Sequence, residues 1–120
     1  MAHNTELGRR GEQLAADHLI ARGMAVIERN WRCRHGEIDL VASDGGTVVF
    51  VEVKTRSGAG YGHPFEAITA QKLARMRRLA LAWCETAEPR PARIRIDAIA
   101  VTLPRGDEEG AAIEHLEGVS

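Results

Sequence analysis

Val48-Val49-Phe50-Val51-Glu52-Val53-Lys54 reads as a strand buried on both faces until, near its end, an acid and a base appear two residues apart. Alternation in an extended chain puts Glu52 and Lys54 on one face and Val49, Val51 and Val53 on the other. A run this apolar belongs in the middle of a sheet. Taken alone, the acid-x-lysine pair is better explained as an ion pair on the solvated face of an edge strand.

The segment before it sharpens the reading. Gly36-Glu37-Ile38-Asp39-Leu40 also alternates, with Glu37 and Asp39 on one face and Ile38 and Leu40 opposite. Ser43-Asp44-Gly45-Gly46 joins the two runs and is a strong hairpin signal. An even-length loop pairs odd with even positions, which brings Asp39 to the face of Glu52 and Lys54. Looping out Gly45 and Gly46 sets Asp39 across from Glu52 and Glu37 across from Lys54, whereas an odd loop would separate them.

Outward from this hairpin, the spacing predicts a first helix over residues 6–21, capped by Thr5 and stopped by Gly23. Leu7, Gly11, Leu14, Ala15, His18 and Leu19 gather on one side of it, with Glu12 at the flank near Leu19. Residues 24–31 read as a strand. After a glycine-containing loop over 57–64, a second helix over about 65–84 exposes Lys72, Arg75 and Arg78 and ends before Pro89 and Pro91. A strand over 94–102, an acidic turn over 106–109 and a weak edge strand over 111–116 complete the order α, β, β, β, α, β, β. The organisation expected is α/β: one domain over residues 1–105 and an acidic C-terminal segment over 106–120.

Composition limits the function classes. An apolar share of 44% and a charged share of 28% are ordinary for a globular chain. No apolar run approaches the roughly 18 residues of a spanning helix, and the first residues lack the apolar core of a signal peptide. The expectation is therefore a cytoplasmic protein that does not enter membranes. Cys33 and Cys84 are far apart and have no metal-site spacing, which predicts idle thiols. The net charge is -1, but residues 1–105 hold all 16 Lys and Arg against 12 acids, and the tail holds the other five acids. A mildly basic body permits a nucleic-acid partner.

Two carboxylates within about 5 Å repel and have raised pKa values unless a cation lies between them. Oxygen ligands of this kind suit magnesium, with manganese as substitute. Asp39 and Glu52 are the expected metal ligands. Lys54 would orient a water or stabilise negative charge in phosphodiester hydrolysis, and Glu12 could add a further acid. Arg32, Arg34, Arg56, Lys72 and Arg75 are candidate phosphate contacts, each equally readable as part of a solvated face. Trp31 and Tyr61 could stack on bases, although packing is the favoured reading of a lone tryptophan.

Leu7, Gly8, Gly11 and Glu12, then Arg29-Asn30-Trp31-Arg32, Gly36-Glu37-Ile38-Asp39-Leu40, Phe50-Val51-Glu52-Val53-Lys54-Thr55-Arg56 and Arg95-Ile96-Asp97 resemble the YraN-like bacterial family. That family is similar to archaeal Holliday junction resolvases within the PD-(D/E)xK nuclease superfamily. The resemblance implies a restriction-endonuclease-like core, a mixed central sheet flanked by helices. It also gives Asp39 the place of the superfamily aspartate, Glu52 and Lys54 those of its acid and lysine, and Glu12 that of a helix-borne acid; Ile38 replaces the signature proline. Asp97 reads as structural, tied to an arginine. Three functions follow in order of preference: a metal-dependent DNA endonuclease acting on branched DNA, a catalytically silent nucleic-acid-binding module, and a protein-interaction domain. A homodimer would suit a junction substrate.

Overall fold

Five extended segments hydrogen-bond into one mixed sheet in sequence order: β1 (Ala25–Cys33), β2 (Gly36–Asp44), β3 (Thr47–Ser57), β4 (Arg93–Leu103) and β5 (Ala112–Leu116). The computed structural model describes residues 6–58, 64–104 and 110–119. Thr5 and the acidic turn over 106–109 lie outside the described residues. The pairs β1–β2, β2–β3 and β4–β5 are antiparallel, while β3–β4 is parallel. A parallel pair needs a crossover, and helix α2 (Ala70–Thr86) lies within this one.

Helix α1 (Glu6–Ala21) covers one face of the sheet through Ala15, Ala16 and Leu19, which pack with Leu40, Ala42, Val49, Val51, Ile99 and Val101. On the other face, Met76, Leu79 and Ala80 of α2 pack with Val41, Phe50 and Ile96. The apolar run of β3 is thus explained by its central position, since Val49 and Val51 face α1 and Phe50 faces α2. Trp31 and Trp83 join the α2 side, and the rings of Phe50 and Trp83 meet edge to face with centroids 5.5 Å apart. Packing is therefore the role of Trp31, while Tyr61 lies outside the described residues.

Two sequence expectations need correction. The second helix begins at Ala70 rather than near 65: residues 64–67 form a separate 3-10 turn, and Thr69 adopts an extended backbone whose hydroxyl accepts the Lys72 amide at 3.2 Å. A threonine that caps a helix cannot also lie within it. Ile38 and Leu40 also part company, Ile38 packing under α2 and Leu40 under α1. The alternation breaks where Asn30, with a left-handed φ of 53°, stands opposite Asp39 between the paired positions Arg29–Leu40 and Trp31–Ile38. Asparagine tolerates that backbone better than most residues.

Where α1 crosses β3, Gly11 is fully packed. A Cβ there would lie 1.8 Å from Thr55 Oγ1 and 2.6 Å from Thr55 Cβ. Gly11→Ala should therefore push the helix off the sheet and destabilise the protein by about 2 kcal/mol or more, the range for overpacked cores. A thermal melt checks this, and an unchanged Tm would contradict it.

Candidate active site

The hairpin turns at Gly45 and Gly46 as the even-loop reading requires, with Asp44 paired to Thr47 and the ladder running to Leu40–Val51. There it stops, one pair before Asp39 and Glu52, while β3 continues beside β4 as far as Ser57–Leu103. A notch opens on the β2 side of β3, at the carboxyl end of the parallel pair, the usual position of ligand crevices in α/β sheets. Asp39 fills part of it: its Oδ2 accepts the Val53 amide at 2.8 Å, replacing a lost ladder bond.

Glu52 lies on the same face of the sheet. Asp39, Glu52, Glu37, Arg32, Cys33, Gly36 and Arg75 line a cavity of about 300 Å³. Lys54 Nζ lies 3.1 Å from Glu52 Oε2, and Arg32 Nε lies 3.6 Å from Glu37 Oε2. Glu12 approaches from α1, held where Asn30 Nδ2 donates to its Oε1 at 3.0 Å, and one residue on, Arg29 donates to Gln13 Oε1 at 2.8 Å.

The electrostatics of the notch centre on Asp39, whose side chain is only 3% exposed. Burial and then the charge of Glu52 push its carboxyl up to about 8. The Val53 amide opposes that rise, and Glu12 and Glu37 add to it. One buried carboxyl thus feels three other acids, and its neutral form dominates at neutral pH unless positive charge arrives. Among the described residues no group of three or more His, Cys, Asp or Glu side chains is placed to hold a metal ion. The donors nonetheless suit magnesium or manganese, which bind through one or two carboxylates and keep several waters. The pair that fits the role is Asp39 and Glu52.

The candidate phosphate contacts divide. Arg32 and Arg75 line the carboxylate cavity, and Lys72 lies beside Arg75 on α2. Arg34 is exposed in the β1–β2 turn and Arg56 is half-buried in β3; neither lines that cavity. Sequence reasoning missed Asn30 as the anchor of Glu12, although an asparagine inside a strand pattern is the kind of local irregularity that marks such a position. His35 is exposed, His63 lies outside the described residues, and Cys33 and Cys84 are free thiols.

Asp97 does not join the notch. It is fully buried on β4, bonded by Arg95 Nε at 2.9 Å, Arg95 NH2 at 3.1 Å, the Gly118 amide at 3.0 Å and His115 Nε2 at 2.8 Å. Burial alone would raise its carboxyl, but these partners hold it below the usual range. His115 in turn contacts His18 of α1 at 3.1 Å. This array ties β5 to the body, an architectural role that matches the sequence reading of Asp97.

Comparison with known proteins gives a consistent assignment. The model of a family described as Uncharacterised protein family UPF0102 matches residues 11–101. A UPF0102 protein of Clavibacter michiganensis subsp. michiganensis is 53% identical over 113 residues, covering 94% of this chain and 96% of its own. One from Leifsonia xyli subsp. xyli is 52% identical over 119 residues, covering 99% of each, and one from Rhodococcus opacus is 48% identical over 116 residues, covering 97% of each.

Proposed function

The chain belongs to Uncharacterised protein family UPF0102, and from that premise we propose that it is a metal-dependent endonuclease that hydrolyses DNA phosphodiester bonds, with branched DNA as its preferred substrate. The observation that carries the reading is the placement of the buried Asp39 with Glu52 at one open cavity, with Lys54 3.1 Å from Glu52; this burial and charge push the Asp39 carboxyl up. Such an arrangement is costly for an inert surface and suited to a divalent cation.

Asp39 and Glu52 would hold magnesium or manganese. When bound, the ion supplies positive charge to a phosphoryl oxygen and acidity to water. The remaining work belongs to the chain. Lys54, set by its contact with Glu52, donates to the attacking water or to charge developing on the phosphate. Glu12, anchored by Asn30, is near enough to Asp39 to influence it and can accept a proton from water at the notch. Arg32 and Arg75 at the cavity wall can orient the phosphate.

No helix among the described residues is long and apolar enough to cross a membrane; the setting we propose is the cytoplasm, with DNA as the partner. A homodimer would allow paired cuts on a junction. The test uses duplex, single-stranded, flapped and four-way-junction DNA at low salt, with magnesium, manganese or EDTA. Metal-dependent nicking, strongest on the junction, is expected. Binding to DNA without cleavage in either metal would replace this reading with a binding module, and neither binding nor cleavage would favour a protein-interaction domain.

A further inference from the structure

The notch has a neighbour that the catalytic reading does not use. The capping Thr69 and, on α2, Gln71, Lys72, Arg75 and Arg78 line a second cavity of about 420 Å³, and Arg75 lines the carboxylate cavity as well. The two spaces share that arginine as a common wall, so an extended ligand could pass from one to the other.

Three features of this groove are unusual for an ordinary solvated helix face. Lys72, Arg75 and Arg78 follow one another at three-residue spacing, so their side chains are neighbours and repel. Among the described residues no carboxylate pairs with any of the three, although ion pairs occur elsewhere on the surface. The helix also carries its charges against its own dipole: its first turn has no acid and its last turn has no base, the reverse of the stabilising arrangement. Each feature costs stability in isolation, and each is relieved by an extended run of negative charge laid along the groove.

We propose that this groove is a clamp for the sugar–phosphate backbone of the DNA strand being cut, holding phosphates that flank the bond positioned at Asp39 and Glu52. The inference rests on the nuclease reading and adds the path of the strand. Three cations spread over about 9 Å of helix, at 1.5 Å per residue, match a polyanion better than one phosphate. Among the described residues the lining holds no aromatic ring on which a base could stack. Contacts limited to phosphate position a nucleic acid without reading its sequence. The clamp therefore binds DNA of unrelated sequence alike, with strong salt dependence.

Fluorescence anisotropy with two labelled duplexes of unrelated sequence, in EDTA so that cleavage cannot intervene, tests the clamp. The variants are Arg75→Ala and the triple Lys72→Ala/Arg75→Ala/Arg78→Ala, with Arg93→Ala as a remote charge control and a thermal melt for each. Expected is equal affinity for both duplexes, a slope of log K against log salt flatter by about 0.9 in Arg75→Ala and by nearly 3 in the triple, and little change in Arg93→Ala. Wild-type slopes in both groove variants would overturn the clamp, as would failure of the wild type to bind at low salt or a tenfold preference for one sequence. The two readings fail separately. Cleavage with unchanged binding in the triple removes the clamp alone, whereas groove-dependent binding without cleavage in either metal removes the nuclease alone.

Discussion

Glu52→Gln and Lys54→Ala should each lower the rate of metal-dependent DNA cleavage by roughly two to three orders of magnitude, the scale on which loss of one charge-stabilising group acts, while leaving the protein folded. Glu52→Gln removes a formal charge at nearly constant volume and also removes the second-largest influence holding the Asp39 carboxyl up. Its melting temperature in the absence of metal should equal or exceed that of the wild type, so lost cleavage locates the defect in chemistry. Lys54→Ala tests a different step. Both carboxylates remain, and the cation 3.1 Å from Glu52 is gone, so magnesium should bind at least as tightly while turnover falls. Single-turnover cleavage and calorimetric titration with magnesium, run on both variants, separate the two defects. Wild-type cleavage in either variant would remove that residue from the reaction.

Most of this architecture is legible in the sequence because it depends on alternation and turn chemistry. The apolar run from Val48 to Val53, the two glycines before it and the alternating Glu37 and Asp39 specify a central strand, a two-residue turn and a register, and the observed pairs Asp44–Thr47 through Leu40–Val51 follow that register. What alternation could not convey is where the ladder ends. Extrapolated pairing sets Asp39 opposite Glu52 as two strand residues. In the folded chain the strands have parted by that point, and the aspartate itself accepts the Val53 amide. This difference has chemical weight, since the parting of the strands creates the opening in which the carboxylates sit.

The same limit explains the residues that periodicity passed over. The left-handed backbone of Asn30 breaks the facing pattern of β1 and β2, divides Ile38 from Leu40 and provides the amide that fixes Glu12. A period-two template records such a residue as noise. Gly11 was legible only as a member of a helical stripe; its reason for being glycine lies 44 positions away at Thr55, a tertiary fact with no local signature. Likewise, Lys72, Arg75 and Arg78 look like any exposed helix face until the packing of α2 brings Arg75 to the wall of the carboxylate cavity.

Asp39→Asn should stabilise the metal-free protein, by an amount that grows with pH. Folding raises the Asp39 pKa from an unfolded value near 3.9 to about 8, so the folded state binds a proton that the unfolded state has released. The stability linked to that proton is fully present below about pH 4 and is lost as pH rises through 8, by up to about 1.4 kcal/mol per pH unit between those limits. Asparagine keeps an oxygen to accept the Val53 amide and carries no charge, so its stability does not follow this decline. The stability difference between variant and wild type should be small at pH 4, widen through pH 6 and 7, and level off above about pH 8 at a few kcal/mol. Added magnesium should narrow that gap at high pH. At about ten times its dissociation constant a ligand contributes roughly 1.4 kcal/mol, and that gain goes to the wild type, whose ionised carboxylate binds the cation. Thermal melts of both proteins from pH 4 to 9, with and without magnesium, measure all of this. Parallel pH profiles would mean that Asp39 is ionised at ordinary pH and that the notch holds no unmet demand for positive charge, and equal magnesium shifts in the two proteins would take Asp39 out of the metal site.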